Sequence, residues 1–152
     1  MERVKNTKDR VTEHIEKWIE SVSQAHSELG GFSICPFAKR AKYKISFCSA
    51  NSIQPEEPYD VIIYVIDEEK LEEIQKWVEI LNQKYPTWLF FEDCASYDTY
   101  INGIQTNNGK YNLILGQPKK KLRKFRDILK KTDYYSYWSQ EYYDEIMSSD
   151  SD

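Results

Sequence analysis

Apolar side chains at Val11, Ile15, Trp18, Ile19, Val22, Ala25 and Leu29 recur every three or four residues, which predicts an amphipathic helix over about residues 8–29. Gly30 and Gly31 end it. Lys42–Cys48 then alternates, with Tyr43, Ile45 and Phe47 on one side, the pattern of a half-buried strand. Beyond the loop Ser49–Pro58, the run Tyr59–Ile66 is apolar on both faces and rich in β-branched residues, so a central strand is expected.

Asp67 suits the cap of a second helix, whose core face is Leu71, Ile74, Val78, Leu81 and Tyr85 and which Pro86 closes. Thr87–Phe91 is the next buried strand. Strand, helix and strand in that order define a βαβ unit, with its strands parallel and its crossover right-handed. Residues 94–110 admit two readings. One is a short helix capped by Asp93 and ended by Gly103; the other pairs Ile101–Thr106 with Tyr111–Leu115 across Asn107-Asn108-Gly109. Tyr111–Gly116 is a strand in both. After Gln117-Pro118 a helix follows, with Leu122, Phe125, Ile128 and Leu129 toward the core. The expected fold is α/β: a single domain over 1–147 with a mixed four- or five-stranded sheet, one βαβ unit, an N-terminal helix and an aromatic-rich C-terminal helical segment. Residues 148–152 are expected to be a disordered acidic tail.

Composition narrows the class. A chain of 152 residues, 40% hydrophobic and 30% charged, fits one globular domain that buries about 70% of its unfolded surface. Cys35, Cys48 and Cys94 lie far apart, so neither a disulfide framework nor a zinc motif is written here. No metal or cofactor is expected. The charged N-terminus lacks the apolar core of a signal peptide and no apolar run is long enough to span a membrane, which points to the cytoplasm.

The chemically unusual segment is Gly31–Arg40. Pro36 suits the first position of a short helix with Cys35 at its cap, where the helix end, Lys39 and Arg40 would favour thiolate. His26 is the one base that the turn after the first helix could bring near it. The opposing reading makes Cys35 a small buried hydrophobe among Phe32, Ile34 and Phe37. The Trp18-bearing helix followed by Ile34-Cys35-Pro36-Phe37-Ala38-Lys39 resembles the opening of an uncharacterised bacterial protein family with the signature Leu-Cys-Pro-Phe-Ala-Lys. That family's later Phe-His-Pro element has no counterpart, because both histidines, His14 and His26, precede the motif. The family has no established activity, so the resemblance implies a shared α/β layout and no reaction.

The net charge of −4 hides an asymmetry: residues 119–131 hold eight basic side chains against one acid, and residues 132–152 hold six acids and no base. Lys119, Lys120 and Lys121 crowd the positive end of a helix, where a bound phosphate or carboxylate would relieve them. Arg123 and Lys124 continue the basic surface. The aromatic segment that follows places Tyr135, Trp138 and Tyr142 on one helical face, a composition favoured where a protein meets a partner. Glu92 and Asp93 are neighbours at a strand end, so their side chains diverge and form no ready acid/base pair. The leading expectation is a non-catalytic binding or accessory protein that uses the basic helix and aromatic tail on a protein partner. A Cys35-dependent thiol enzyme or redox protein, and a protein binding nucleic acid or another phosphate-bearing ligand, are the alternatives.

Overall fold

The computed structural model describes residues 6–27, 32, 41–101, 103–132, 134–137 and 140–148. Cys35, Lys39, Arg40 and Trp138 therefore lie outside the described residues, as do Gly30, Gly31 and residues 149–152. Helix α1 spans Thr7–Ser23, and β1 (Tyr43–Phe47), β2 (Val61–Val65), α2 (Leu71–Lys84) and β3 (Trp88–Asp93) follow. A small ribbon of β4 (Tyr100–Ile101) and β5 (Ile104–Gln105) precedes β6 (Leu113–Pro118), α3 (Lys119–Lys130), a 3-10 turn at Tyr134–Tyr137 and α4 (Gln140–Ser148).

The mixed α/β sheet has the order β1-β2-β6-β3, with β1 and β2 parallel and β6 antiparallel to both of its neighbours. It follows that β2 and β3 run parallel, as the βαβ pattern predicts, but with β6 inserted between them. Strand alternation sorts the core into two layers. Ile62, Tyr64, Ile66, Trp88, Phe90 and Ile114 pack with Ile74, Val78 and Leu81 of α2. Ile63, Leu113 and Leu115 pack with Val11 and Ile15 of α1. The uniformly apolar β2 is apolar because it feeds both layers.

Gly116 marks a close approach within the sheet. It pairs with Ile62 and Phe90, and a Cβ there would stand 2.9 Å from the Phe90 ring and 3.4 Å from Tyr64. The edge strand β3 is closed by a side chain, since Asn82 of α2 accepts from the Phe90 N–H at 2.8 Å and donates to its carbonyl at 3.0 Å. That amide occupies backbone groups an edge would otherwise offer to another strand.

Three boundaries differ from expectation for local reasons. α1 stops at Ser23, not near residue 29, because the Ser21 and Ser23 hydroxyls donate back to the carbonyls of Trp18 and Glu20. Ala25 and His26 are consequently off the helix, and the His26 N–H donates to the Phe32 carbonyl at 3.0 Å. Asp67 caps nothing: Asn112 accepts from the Ile66 N–H through its carbonyl and donates to the Glu68 carbonyl through its side chain, holding this stretch extended so that α2 starts at Leu71. Residues 94–110 form neither expected structure. Their ribbon pairs Tyr100–Ile101 with Ile104–Gln105, Gly103 has φ +84°, and Asn107 and Asn108 lie inside the protein, not at a hairpin tip.

Candidate functional site

Pro118 ends β6 and begins α3 without a side-chain cap, and the Lys119 N–H donates to the Thr87 carbonyl at 3.0 Å. Lys121 turns back onto the β1–β2 connection, its Nζ 2.7 Å from Asp60 Oδ1 and 3.2 Å from the Pro58 carbonyl. Burial pushes the Asp60 carboxyl up, but the Lys121 ammonium and the Lys42 N–H outweigh it and hold the group below the usual carboxylate range. One of the three lysines expected to gather an external anion is thus committed to an internal one.

The remaining cations divide by face. Lys119, Arg123 and Arg126 are half-buried, with Leu122, Phe125 and buried Leu129 on the inner side of α3. Lys120, Lys124, Lys130 and Lys131 are exposed. Ile128, expected in the core, is 46% exposed instead. It lies about 100° around the helix from Leu129, and α3 rests on β6 and the 3-10 turn through the Leu129 side. Lys120, Lys124, Ile128 and Lys131 follow the helical repeat, so the outward stripe is basic with an apolar centre. Asp127 lies in the same stripe and faces Lys130 at 3.9 Å, an exposed pair of little energetic weight.

The aromatic segment folds back on its own chain. Tyr134 is buried, its ring edge-on to Phe32 at 5.7 Å and to Tyr135 at 4.9 Å. Tyr135 in turn meets Tyr143 of α4 edge-on at 5.3 Å. The Tyr135 ring, expected on a partner surface, is half-buried in this ladder. Tyr142 belongs to α4, but its side chain lies outside the described residues. Lys130, Tyr135, Gln140 and Tyr143 line a recess of about 320 Å³ where α3 meets α4.

A second constellation was not legible in the sequence. Asp93, at the end of β3, accepts at Oδ1 from both the backbone N–H (3.0 Å) and the side-chain amide of Asn108. Asn108 Oδ1 accepts from the N–H groups of Lys110 and Tyr111, and its carbonyl accepts from His14 Nε2 at 3.1 Å. Trp18 donates to the Thr106 carbonyl at 3.0 Å, and Asn107 donates to the carbonyls of Cys94 and Tyr97. Burial pushes the Asp93 carboxyl up to about 6 against the two donations from Asn108. A perturbed acid of this kind often marks an active site. Here its Oδ1 is filled by Asn108, and its partners point to backbone, so the cluster ties the 94–112 loop to β3 and α1. The Asn-Asn-Gly sequence carried only a turn signal, and the partners of His14 and Trp18 lie about ninety residues away.

Among the described thiols, Cys94 is buried, which pushes it up to about 12, and burial raises Cys48 as well. Both shifts oppose nucleophilic chemistry. His26 Nε2 is buried and has no hydrogen-bond partner among the described residues, and Cys35, its expected companion, lies outside them. No group of three His, Cys, Asp or Glu among the described residues is arranged to hold a metal ion, and no described helix is long and apolar enough to cross a membrane. No protein-family model, curated protein or solved structure matches the chain. The class defined at this point is a single-domain α/β protein with a basic helix on its surface.

Proposed function

We propose that the chain is a binding or accessory protein that seats an acidic protein partner on the outward stripe of α3. The observation that carries this reading is the exposed set Lys120, Lys124 and Lys131 around Ile128, a large apolar side chain left 46% exposed among cations. Cations alone attract any polyanion and are screened within about 8–10 Å at ordinary ionic strength. An apolar centre inside a charged rim is instead the composition of a protein contact. The fitting partner is an acidic amphipathic helix, whose carboxylates meet the lysines and whose apolar residue covers Ile128.

Titrating a fluorescent acidic peptide, with one leucine per helical turn among glutamates, tests the proposal. Lys120→Glu/Lys124→Glu is expected to weaken binding by about tenfold or more at low salt. Ile128→Asn should weaken it at every salt concentration. Equal binding by wild type and the charge-reversed variant would overturn the proposal. A nucleic-acid-binding protein would give another pattern: duplex DNA would bind with a steep salt slope and without regard to Ile128→Asn.

A further inference from the structure

The C-terminal helix α4 bears on how that stripe is regulated. Six acids and no base follow the eight cations of residues 119–131, so opposite charges adjoin along the chain. The fold then lays α4 beside α3. Arg126 Nη1 donates to the Ile146 carbonyl at 3.4 Å, near the negative end of α4, and Tyr143 meets Tyr135 edge-on. The seat is not filled, because the recess of about 320 Å³ between Lys130, Tyr135, Gln140 and Tyr143 remains there. None of the described α4 side chains is fully buried, whereas the two core layers close around the sheet without it. α4 has nine residues. Helices shorter than about 12–15 residues are marginal in water alone, so its helicity depends on this seat.

We infer that α4 is an autoinhibitory strap: it lays an acidic segment of the same chain along the Arg126–Lys130 flank of α3, and an acidic partner must displace it to use the whole basic surface. This rests on the binding reading above and adds its regulation. Glu141 and Asp144 are exposed on α4 and lower the positive potential that a partner meets at Lys124 and Lys131. Displacement breaks the Arg126–Ile146 hydrogen bond and the Tyr135–Tyr143 ring pair, and neither contact involves a sheet residue.

Three forms of the full-length protein decide the matter: wild type, Tyr143→Ala and Glu141→Gln/Asp144→Asn, each titrated with the same leucine-bearing acidic peptide. Tyr143→Ala removes the ring clamp and should bind about three- to tenfold more tightly, the range set by the loss of one aromatic pair. The double neutralisation keeps the packing and should also bind more tightly, so it settles the question should Tyr143→Ala unfold. Hydrogen exchange on wild type should show α4 amides exchanging faster once peptide is added, with sheet amides unchanged. If peptide binds wild type through Lys120 and Lys124 while the other two forms bind no better and α4 exchange does not rise, the strap is overturned and the binding reading stands. If peptide binds none of the three, both fall.

Discussion

Residues 94–112 and residues 119–148 lie on either side of β6 in the chain, and they are held by opposite means. The first segment is a loop wired by side-chain amides: Asn107 and Asn108, both buried, spend their donors and acceptors on backbone groups and on Asp93. The second is helical: α3 is anchored by buried Leu129 and the Lys121–Asp60 pair, while α4 meets it through a ring edge and a long hydrogen bond beside an open recess. Buried polar networks are stable when every member is satisfied and costly when one is removed. Ring contacts on a half-exposed helix are worth about 0.5–1.5 kcal/mol each and are lost one at a time. The loop therefore looks like a reactive centre and is built as a rivet, while the helical segment looks like packing and is the part that the proposed partner would displace.

The sharpest way to break this contrast is Asn108→Ala. It strips Asp93 Oδ1 of its side-chain donor, the backbone N–H of residue 108 remaining, and leaves the N–H groups of Lys110 and Tyr111 without their acceptor. A loss of roughly 2–4 kcal/mol in denaturant unfolding is expected, since each orphaned buried group costs about 1–3 kcal/mol and charged ones more. A loss below about 1 kcal/mol would mean that water replaces the amide and the loop is not a rivet.

Asp93→Asn probes the same cluster with a smaller expected effect. A carboxyl whose folded-state pKa is raised binds its proton more tightly when folded, so its stabilising contribution is full below about pH 4 and is lost as pH rises through about 6. The asparagine oxygen still accepts from Asn108 and carries no charge to bury. The stability difference between variant and wild type should therefore shift in favour of the variant by roughly 1–3 kcal/mol from pH 4 to pH 8. A difference that is flat with pH would mean that Asp93 is solvated.

Tyr143→Ala should alter unfolding free energy by less than about 1 kcal/mol, because only the Tyr135 ring pair and a half-exposed side chain are lost. Local measurements should move more than global ones, with α4 amides exchanging faster while β2 and β6 stay protected. Faster exchange across the sheet core, or a global loss as large as that of Asn108→Ala, would place α4 within the cooperative unit and erase the contrast.

What the sequence disclosed follows the same division. The period of α1 and α2 and the two-sided apolarity of β2 were legible because burial against a sheet imposes a repeat on the residues themselves. The parallel course of β2 and β3 was legible from the intervening helix, but the insertion of β6 between them was not, since it depends on a strand that begins only at Leu113, well after β3 ends at Asp93. The ends of α1 and α2 were misjudged where Ser21, Ser23 and Asn112 bond to backbone, a choice that local pattern does not encode. On α3 the helix itself was evident but its rotation was not. Eight cations spread around the axis fit several orientations, and only the seating of Leu129 shows that Ile128 and Lys124 face outward while Arg126 faces in.

The smallest effect on stability belongs to Lys120→Glu/Lys124→Glu, and it is the most informative about function. Both side chains are exposed on the outer face of α3, and exposed substitutions away from caps and networks usually stay within about 0.5 kcal/mol. An acid at position 120, in the first turn of α3, also suits the positive end of the helix better than the lysine it replaces, which favours the folded state by a few tenths of a kcal/mol. The thermal midpoint should hold or rise slightly while binding of the acidic peptide is lost. A cationic pair that can be reversed without cost to folding is not there for the fold. If the midpoint falls by as much as it does for Asn108→Ala, the lysines are part of the scaffold and the outward stripe loses its claim to a partner.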